Sequence, residues 1–140
     1  MRLMNRPIVF EMLLRSLLPV MTFGFFLSLS EAQADVTYEL ECLVDRKIDR
    51  QTEYSRSRID EMRWSVVIRH YGQEYATISR CDSKAPCDDY RADHFEFTKN
   101  VGVSKYYYFS GQFDVQVFGD GRFIENNGRG TLAFGQCQAK

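Results

Sequence analysis

The chain contains two histidines, and one of them stands beside carboxylates at a spacing suited to acid–base chemistry. One residue separates His94 from Glu96, so on a β-strand both side chains would lie on the same face and form a hydrogen-bonded pair. No serine stands in the Gly-x-Ser-x-Gly context of an exposed nucleophile. His70 continues the apolar face of a predicted strand and is expected to be a partly buried structural residue. These patterns predict a protein that is not an enzyme, and a small hydrolase using His94 and Glu96 is the less favoured alternative.

An acidic segment follows Cys81 and is the first candidate for a recognition surface. Residues 82–96 contain five carboxylates against one lysine and one arginine. The spacing lacks the alternating ligands and the glycine of an EF-hand loop, so no metal is expected. A loop closed by cysteines loses little entropy on binding, and we expect this one to meet a basic protein surface. The alternative is a solvated loop that the cysteines stabilise without any role in binding.

Three consecutive tyrosines, Tyr106 to Tyr108, are the second candidate. Alternation along a strand places Tyr106 and Tyr108 on one face and Tyr107 on the other. Exposed aromatic patches are common at binding sites for proteins or sugars, unless a second layer covers them and makes them core. The candidate binding surface therefore comprises Asp82, Asp88, Asp89, Asp93, Tyr106 and Tyr108.

All four cysteines lie after residue 34, and an even number in an oxidising compartment predicts two disulfides. Of the three possible connectivities we favour Cys81 with Cys87, which closes a short loop, and Cys42 with Cys137, which ties the first strand to the last. The longer link is expected to stabilise more, by about 4 to 5 kcal/mol in the chain-entropy model. Zinc sites usually contain Cys-x(2–4)-Cys pairs, which are absent here, so no metal or other cofactor is predicted.

The first 34 residues are typical of an export signal. Arg2, Arg6 and Arg15 precede an uncharged, mostly apolar run over 16–30, and Ala32 and Ala34 match the small residues before a signal-peptidase cut. A membrane-spanning helix needs about 20 apolar residues, so this run is short for an anchor, which is the alternative. The sequence predicts a cleaved signal peptide over 1–34 and a mature protein in the periplasm or outside the cell.

Residues 35–140 have the length of one domain and carry a formal net charge of −2, which argues against nucleic acid as the main partner. The segment is rich in aromatic residues and poor in leucine, which favours strands over helices. Alternating patterns and turn residues predict about seven strands, over 36–44, 63–71, 74–81, 94–98, 106–118, 122–125 and 130–138. For 45–63 a helix with Ile48, Ile59 and Met62 on one stripe, an irregular loop and a pair of polar strands remain open.

Sequence-adjacent strands without long crossovers predict an all-β fold, either a small antiparallel meander barrel or a sandwich, tied by disulfides. A small exported barrel of this kind is similar in outline to bacterial lysozyme inhibitors, although their signature loop motifs are absent. We therefore expect a binding protein whose partner is a protein or an envelope component, in one form an inhibitor of a hydrolase. The alternative is a small-ligand carrier, which requires an internal cavity of about 300 Å³ or more. No membrane span is predicted after residue 34.

Overall fold

The fold is an antiparallel β-sheet with one short helix, seen in a computed structural model that describes residues 35–140. The predicted signal peptide, 1–34, lies outside the described residues. The elements are β1 (Tyr38–Asp49), β2 (Thr52–Glu53), α1 (Arg56–Met62), β3 (Ser65–Tyr71), β4 (Tyr75–Cys81), β5 (Asp88–Arg91), β6 (His94–Thr98), β7 (Val103–Tyr108), β8 (Phe113–Phe118), β9 (Arg122–Asn126) and β10 (Thr131–Ala139). Across 35–140, no helix has the length and apolar character needed to cross a membrane.

The strands form one curled, barrel-like sheet in the order β5-β4-β3-β1-β10-β9-β8-β7-β6, with β2 beside β1. The two outermost strands, β5 and β6, are consecutive in the chain and are separated only by Ala92 and Asp93. The Ala92 N–H donates to the carbonyl of Ala76 in β4, and the Asp93 N–H donates to the carbonyl of Tyr107 in β7, each at 2.9 Å. The all-β antiparallel prediction is confirmed, and the sheet has ten strands rather than about seven.

Both favoured disulfides are present. Cys42 lies directly opposite Cys137 in the β1–β10 pair, and their disulfide joins residues 95 positions apart. Cys81 and Cys87 close the loop between β4 and β5, six positions apart. Two disulfides are typical of an oxidising, extracytoplasmic environment.

The inner face of the curled sheet is filled by apolar side chains from both halves of the strand order. Its largest fully buried residues are Phe123, Ile68, Ile78, Val66 and Val115. The pairing of β1 with β10 shifts register between Val44 and Arg46. Because this bulge adds a residue to β1, it places Lys47 opposite the buried Ala133 and hence on the inner face.

The prediction of one long strand over 106–118 is wrong, because this segment is a hairpin of β7 and β8 with a turn at 109–112. Tyr108 pairs with Phe113, and Tyr106 pairs with Val115. Directly paired residues lie on the same face, so Tyr106 joins the buried Val115. In an unbroken strand Tyr107 would have occupied that face instead. Gly111 lies in this turn.

Segment 45–63, for which a helix, a loop and a pair of strands were the alternatives, combines strands with a helix. The first half continues β1 and adds the short β2, so Ile48 belongs to a strand. The second half is α1, where Ser55 caps the N-terminus by accepting the Arg58 N–H, and Ile59 and Met62 are buried. Residues 88–91, expected within an acidic loop, form β5.

Gly135 in β10 is the position where the fold leaves least room for a side chain. A Cβ there would overlap the Leu43 carbonyl and press on the Phe123 ring. Gly135→Ala is expected to lower the free energy of unfolding by about 2 kcal/mol or more, because the backbone of β1 must move. Urea denaturation would measure the loss. Gly119→Ala is the matched control, since a Cβ at Gly119 meets only ordinary van der Waals contact. Equal stability of the two variants would contradict the close approach of β1 and β10.

Candidate functional site

One end of the curled sheet, called here the loop end, brings together the connections 82–87, 109–112 and 127–130 with the segment that follows β1. The Arg50 N–H donates to the Gly130 carbonyl at 2.8 Å. Gly128 packs so closely on the backbone of Gln112 that a Cβ would overlap it. The opposite end, called the far end, carries the turns 72–74, 99–102 and 119–121. The loop end carries a cleft between β5 and the β7–β8 hairpin. The far end carries another cleft, of about 290 Å³, which Gly102, Gly119 and Gly121 of its turns help to line.

The loop-end cleft has a volume of about 360 Å³. It is lined by Arg80, Asp88, Tyr90, Tyr108, Ser110, Gly111, Phe113, Asn127 and Arg129. Three of these residues supply an aromatic floor. The ring centroid of Tyr90 lies 5.0 Å from that of Tyr108 and 5.0 Å from that of Phe113, and Tyr108 and Phe113 are 5.2 Å apart. Contacts on several sides hold each ring, so the floor is preorganised for a ligand.

Beside this floor, an ion pair of Arg80 and Glu125 lies on the inner face of the sheet. Arg80 Nε and Glu125 Oε1 are 2.5 Å apart, and neither atom has a hydrogen-bonding partner elsewhere within residues 35–140. Glu125 is only 5% exposed. A buried carboxylate is tolerated only when it is paired, and Arg80 supplies the positive charge that pairs with Glu125. The guanidinium of Arg80 also lies over the Phe113 ring, 5.3 Å from its centre, in a cation–π contact.

A second, smaller cavity of about 130 Å³ lies next to the cleft and shares Arg80 and Asp88 with it. Lys47 lines this cavity, with its Nζ 3.8 Å from the centre of the Trp64 ring. Burial lowers the pKa of Lys47, and the negative charge of Glu125 opposes that shift. The loop end thus contains an aromatic surface with three charged side chains, Lys47, Arg80 and Glu125, behind it.

The candidate acidic surface is not one continuous patch, because three of its four aspartates bind groups of the protein itself. Asp82 accepts the N–H groups of Lys84 and Ala85 at 2.7 and 2.9 Å. Asp93 accepts the Phe109 N–H at 2.7 Å.

The third, Asp89, accepts the Ser79 hydroxyl at 2.5 Å, and that hydroxyl accepts Arg69 at 3.0 Å. This network lies on the outer face, away from the cleft. Asp88 alone among the four lines the loop-end cleft, while Asp82 lines the smaller cavity beside it.

The two candidate tyrosines, Tyr106 and Tyr108, lie in different environments. Tyr106 is only 2% exposed, so its placement on the surface is wrong. Its hydroxyl shares a 2.8 Å hydrogen bond with Nε2 of His70, and burial raises the pKa of Tyr106 to about 12. Tyr108, by contrast, lines the cleft. The reason is the β7–β8 hairpin, which turns both side chains to the inner face but places Tyr108 at its loop end.

The candidate acid–base pair lies outside the cleft. His94 Nε2 and Glu96 Oε2 are 3.8 Å apart, and both side chains are about half exposed. Tyr107 donates its hydroxyl to Glu96 at 3.2 Å, and its ring stacks on His94. Within residues 35–140 there is no group of three or more histidine, cysteine or acidic side chains arranged to hold a metal ion.

The loop between Cys81 and Cys87 is held rigidly against α1. The Ser83 N–H donates to the Met62 carbonyl and the Ser83 hydroxyl to the Glu61 carbonyl, both at 2.7 Å. Lys84 Nζ lies 3.0 Å from Glu61, and hydrogen bonds from Lys84 and Arg58 lower the pKa of that carboxyl. The loop therefore presents a fixed backbone at the rim of the loop end.

Lys47, Arg80 and Glu125 were missed by sequence reasoning. Glu125 was detectable, since it shares strand parity with the buried Phe123. Lys47 was not, because the bulge that turns it inward has no evident signal in the sequence.

Comparison with known proteins finds no matching family model, no matching curated protein and no matching solved structure. What the protein does must therefore be inferred from its own residues and their geometry.

His70 provides a test of the buried aromatic cluster that also contains Tyr106 and Phe95. Burial lowers the pKa of His70 from its ordinary value of 6.5. Below that pH the unfolded chain takes up a proton that the folded protein resists, so His70 stabilises the fold above pH 6.5 and this contribution is lost as the pH falls. Urea denaturation between pH 7 and 5 should show a shallower decline for His70→Gln than for the unmodified protein. The exposed His94→Gln is the control, and equal slopes for both variants would contradict the assignment.

Proposed function

We propose that the protein is exported and acts as a non-enzymatic binding domain for a protein or another envelope component, which it contacts through its loop end. What carries the proposal is the loop-end cleft, which two of the six candidate binding residues line: Tyr108 is part of its aromatic floor, and Asp88 lies at its rim. Asp88 forms no ion pair within residues 35–140. An exposed carboxylate beside aromatic rings is suited to anchor a partner.

The covalent structure supports placement in the periplasm or outside the cell. Two disulfides suit an oxidising compartment, and the predicted signal peptide over 1–34 would deliver the chain there. A domain of this size gains stability from such links without a metal or a cofactor.

The rigidity of the loop end favours binding to a partner's surface. The Cys81–Cys87 disulfide and the contacts of Ser83 with α1 order the loop before any partner arrives, which lowers the entropy lost on association. In its most specific form the proposal is an inhibitor of a hydrolase, with this loop and Asp88 placed against a basic site of the enzyme.

Binding at the loop end is favoured over an internal carrier because the inner face is occupied. Phe123, Ile68 and Ile78 are fully buried between the two halves of the sheet. A carrier would instead need that volume free to enclose its ligand.

Site-specific photo-crosslinking tests which end of the molecule meets a partner. A photoreactive amino acid at Ser110 or Lys84 is expected to give a discrete crosslinked adduct in the envelope fraction, because both side chains are exposed at the loop end. The same residue at Gln73 or Asp120, exposed at the far end, should give none. Adducts from the far end alone would refute the proposed contact surface.

Inhibition assays test the specific form. The protein at stoichiometric excess over lysozyme or a basic protease should abolish activity if this form is right, and Asp88→Lys should weaken inhibition by about tenfold or more because it reverses an interfacial charge. Asp120→Lys at the far end is the matched control and should inhibit like the unmodified protein. Full activity of every enzyme at excess protein would eliminate the inhibitor form.

A further inference from the structure

We infer that the loop-end cleft binds an uncharged saccharide, an inference that rests on the proposed binding function and names the ligand class of its site. The cleft combines an aromatic floor, balanced charges and a rim of planar polar side chains. Each of these three features restricts the chemistry of the ligand, and together they fit a sugar ring.

The aromatic floor accounts for the apolar side of such a ligand. Tyr90, Tyr108 and Phe113 are held by mutual contacts at 5.0 to 5.2 Å between ring centroids. The faces of aromatic rings carry partial negative charge and attract the polarised C–H bonds that a pyranose presents on one face. The three rings are tilted by 40° to 75° relative to one another, so they form an uneven apolar surface on which C–H groups of a sugar can pack.

The charges of the cleft give no advantage to a small ionic ligand over a neutral one. Arg80 is neutralised by the buried Glu125 at 2.5 Å. At the rim the positive charge of Arg129 is matched by the negative charge of Asp88, and both residues line the cleft. A small ligand that fills the cleft contacts both ends of the rim. An anion attracted by Arg129 is then repelled by Asp88, and a cation attracted by Asp88 is repelled by Arg129, so a small ion gains little net attraction.

The rim offers both hydrogen-bond donors and hydrogen-bond acceptors. Asp88 accepts, Arg129 donates, and the amide of Asn127 retains its two donors because its oxygen already accepts the N–H groups of Arg129 and Thr131. Hydroxyl groups both donate and accept, so a polyol can satisfy all three side chains at once, whereas an apolar molecule would leave them without partners.

The geometry of the cleft disfavours an extended peptide. β5, whose outer edge borders the cleft, spans only the four residues Asp88–Arg91, so a strand added to it would gain few main-chain hydrogen bonds. A volume of about 360 Å³ lies at the lower end of small-molecule sites and suits one or two sugar rings.

Two-dimensional ¹H–¹⁵N NMR of the protein recovered after expression of the full chain tests the inference. The probes are cellobiose, maltose, lactose, mannobiose and N,N′-diacetylchitobiose, each titrated to about 10 mM, a concentration that detects even millimolar affinity. We expect at least one to shift the amide signals of Tyr108, Gly111 and Arg129 while those of Asp120 and Arg122 at the far end stay in place. Glucuronic acid and glucosamine, which carry charges, should bind at least fivefold more weakly than glucose, their neutral counterpart.

Paired variants then assign the binding to the cleft. Asp88→Asn and Arg129→Ala should each weaken the saccharide about tenfold, since each loses hydrogen bonds to the ligand. Asp120→Asn and Arg122→Ala are the matched controls, because these two side chains form one exposed ion pair at the far end. They should bind the saccharide like the unmodified protein.

If no neutral sugar shifts the cleft signals, or if the far-end variants weaken binding as much as the cleft variants, the inference is overturned. Preferential binding of the charged sugars would also overturn it. Failure of the proposed function is distinguishable from these results, because a protein adduct at Ser110 without any sugar binding would preserve the binding domain and remove only the saccharide.

Discussion

The pairing of β1 with β10 is the constraint on which the rest of the structure depends. The strand order consists of two meanders, β1-β3-β4-β5 and β10-β9-β8-β7-β6, which meet along that pair and again through the short β5–β6 link. The Cys42–Cys137 disulfide crosses the seam, and Gly135 lets the two backbones approach. The bulge in β1 lies in the same pair and turns Lys47 toward the inner face. One strand pairing therefore both joins the halves of the core and places charge at the loop end.

The two ends of the inner face differ in how they satisfy polar groups. At the loop end Glu125 lies behind an open cleft and is compensated by Arg80, so full charges persist where the apolar filling stops. Deeper in the sheet, His70 and Tyr106 satisfy each other as a hydrogen-bonded pair within an aromatic cluster, with the pKa of the histidine lowered and that of the tyrosine raised. Both shifts favour the uncharged forms, as expected where water is excluded. The buried charges of Lys47, Arg80 and Glu125 on the inner face thus lie at the end that carries the loop-end cleft.

Strand identity and disulfide pairing were predictable because they depend on local patterns and on cysteine arithmetic, and the structure contains both expected links. The site was less predictable. Tyr106 was expected on the surface because the turn at 109–112 was not recognised. One missed turn exchanges the two faces of the strand that precedes it, and so places Tyr106 on the inner face. Asp82, Asp89 and Asp93 looked like a surface because sequence shows charge but not hydrogen-bond partners, and each carboxylate binds a group from another turn or strand. Asp88 and Tyr108 do line the cleft, because each lies at the end of its strand.

The long separation of β1 and β10 along the sequence also sets the order in which the molecule can assemble. A chain that emerges N-terminus first presents β1 long before its partner strand β10 exists, because Cys137 lies 95 positions after Cys42. The β3–β4 and β7–β8 hairpins can form early from neighbouring residues, whereas the seam must wait for β10. Until then one edge of β1 stays unpaired and open to wrong contacts. Closure of the seam therefore follows the formation of these hairpins, and Cys42 stays without its partner cysteine until Cys137 has emerged.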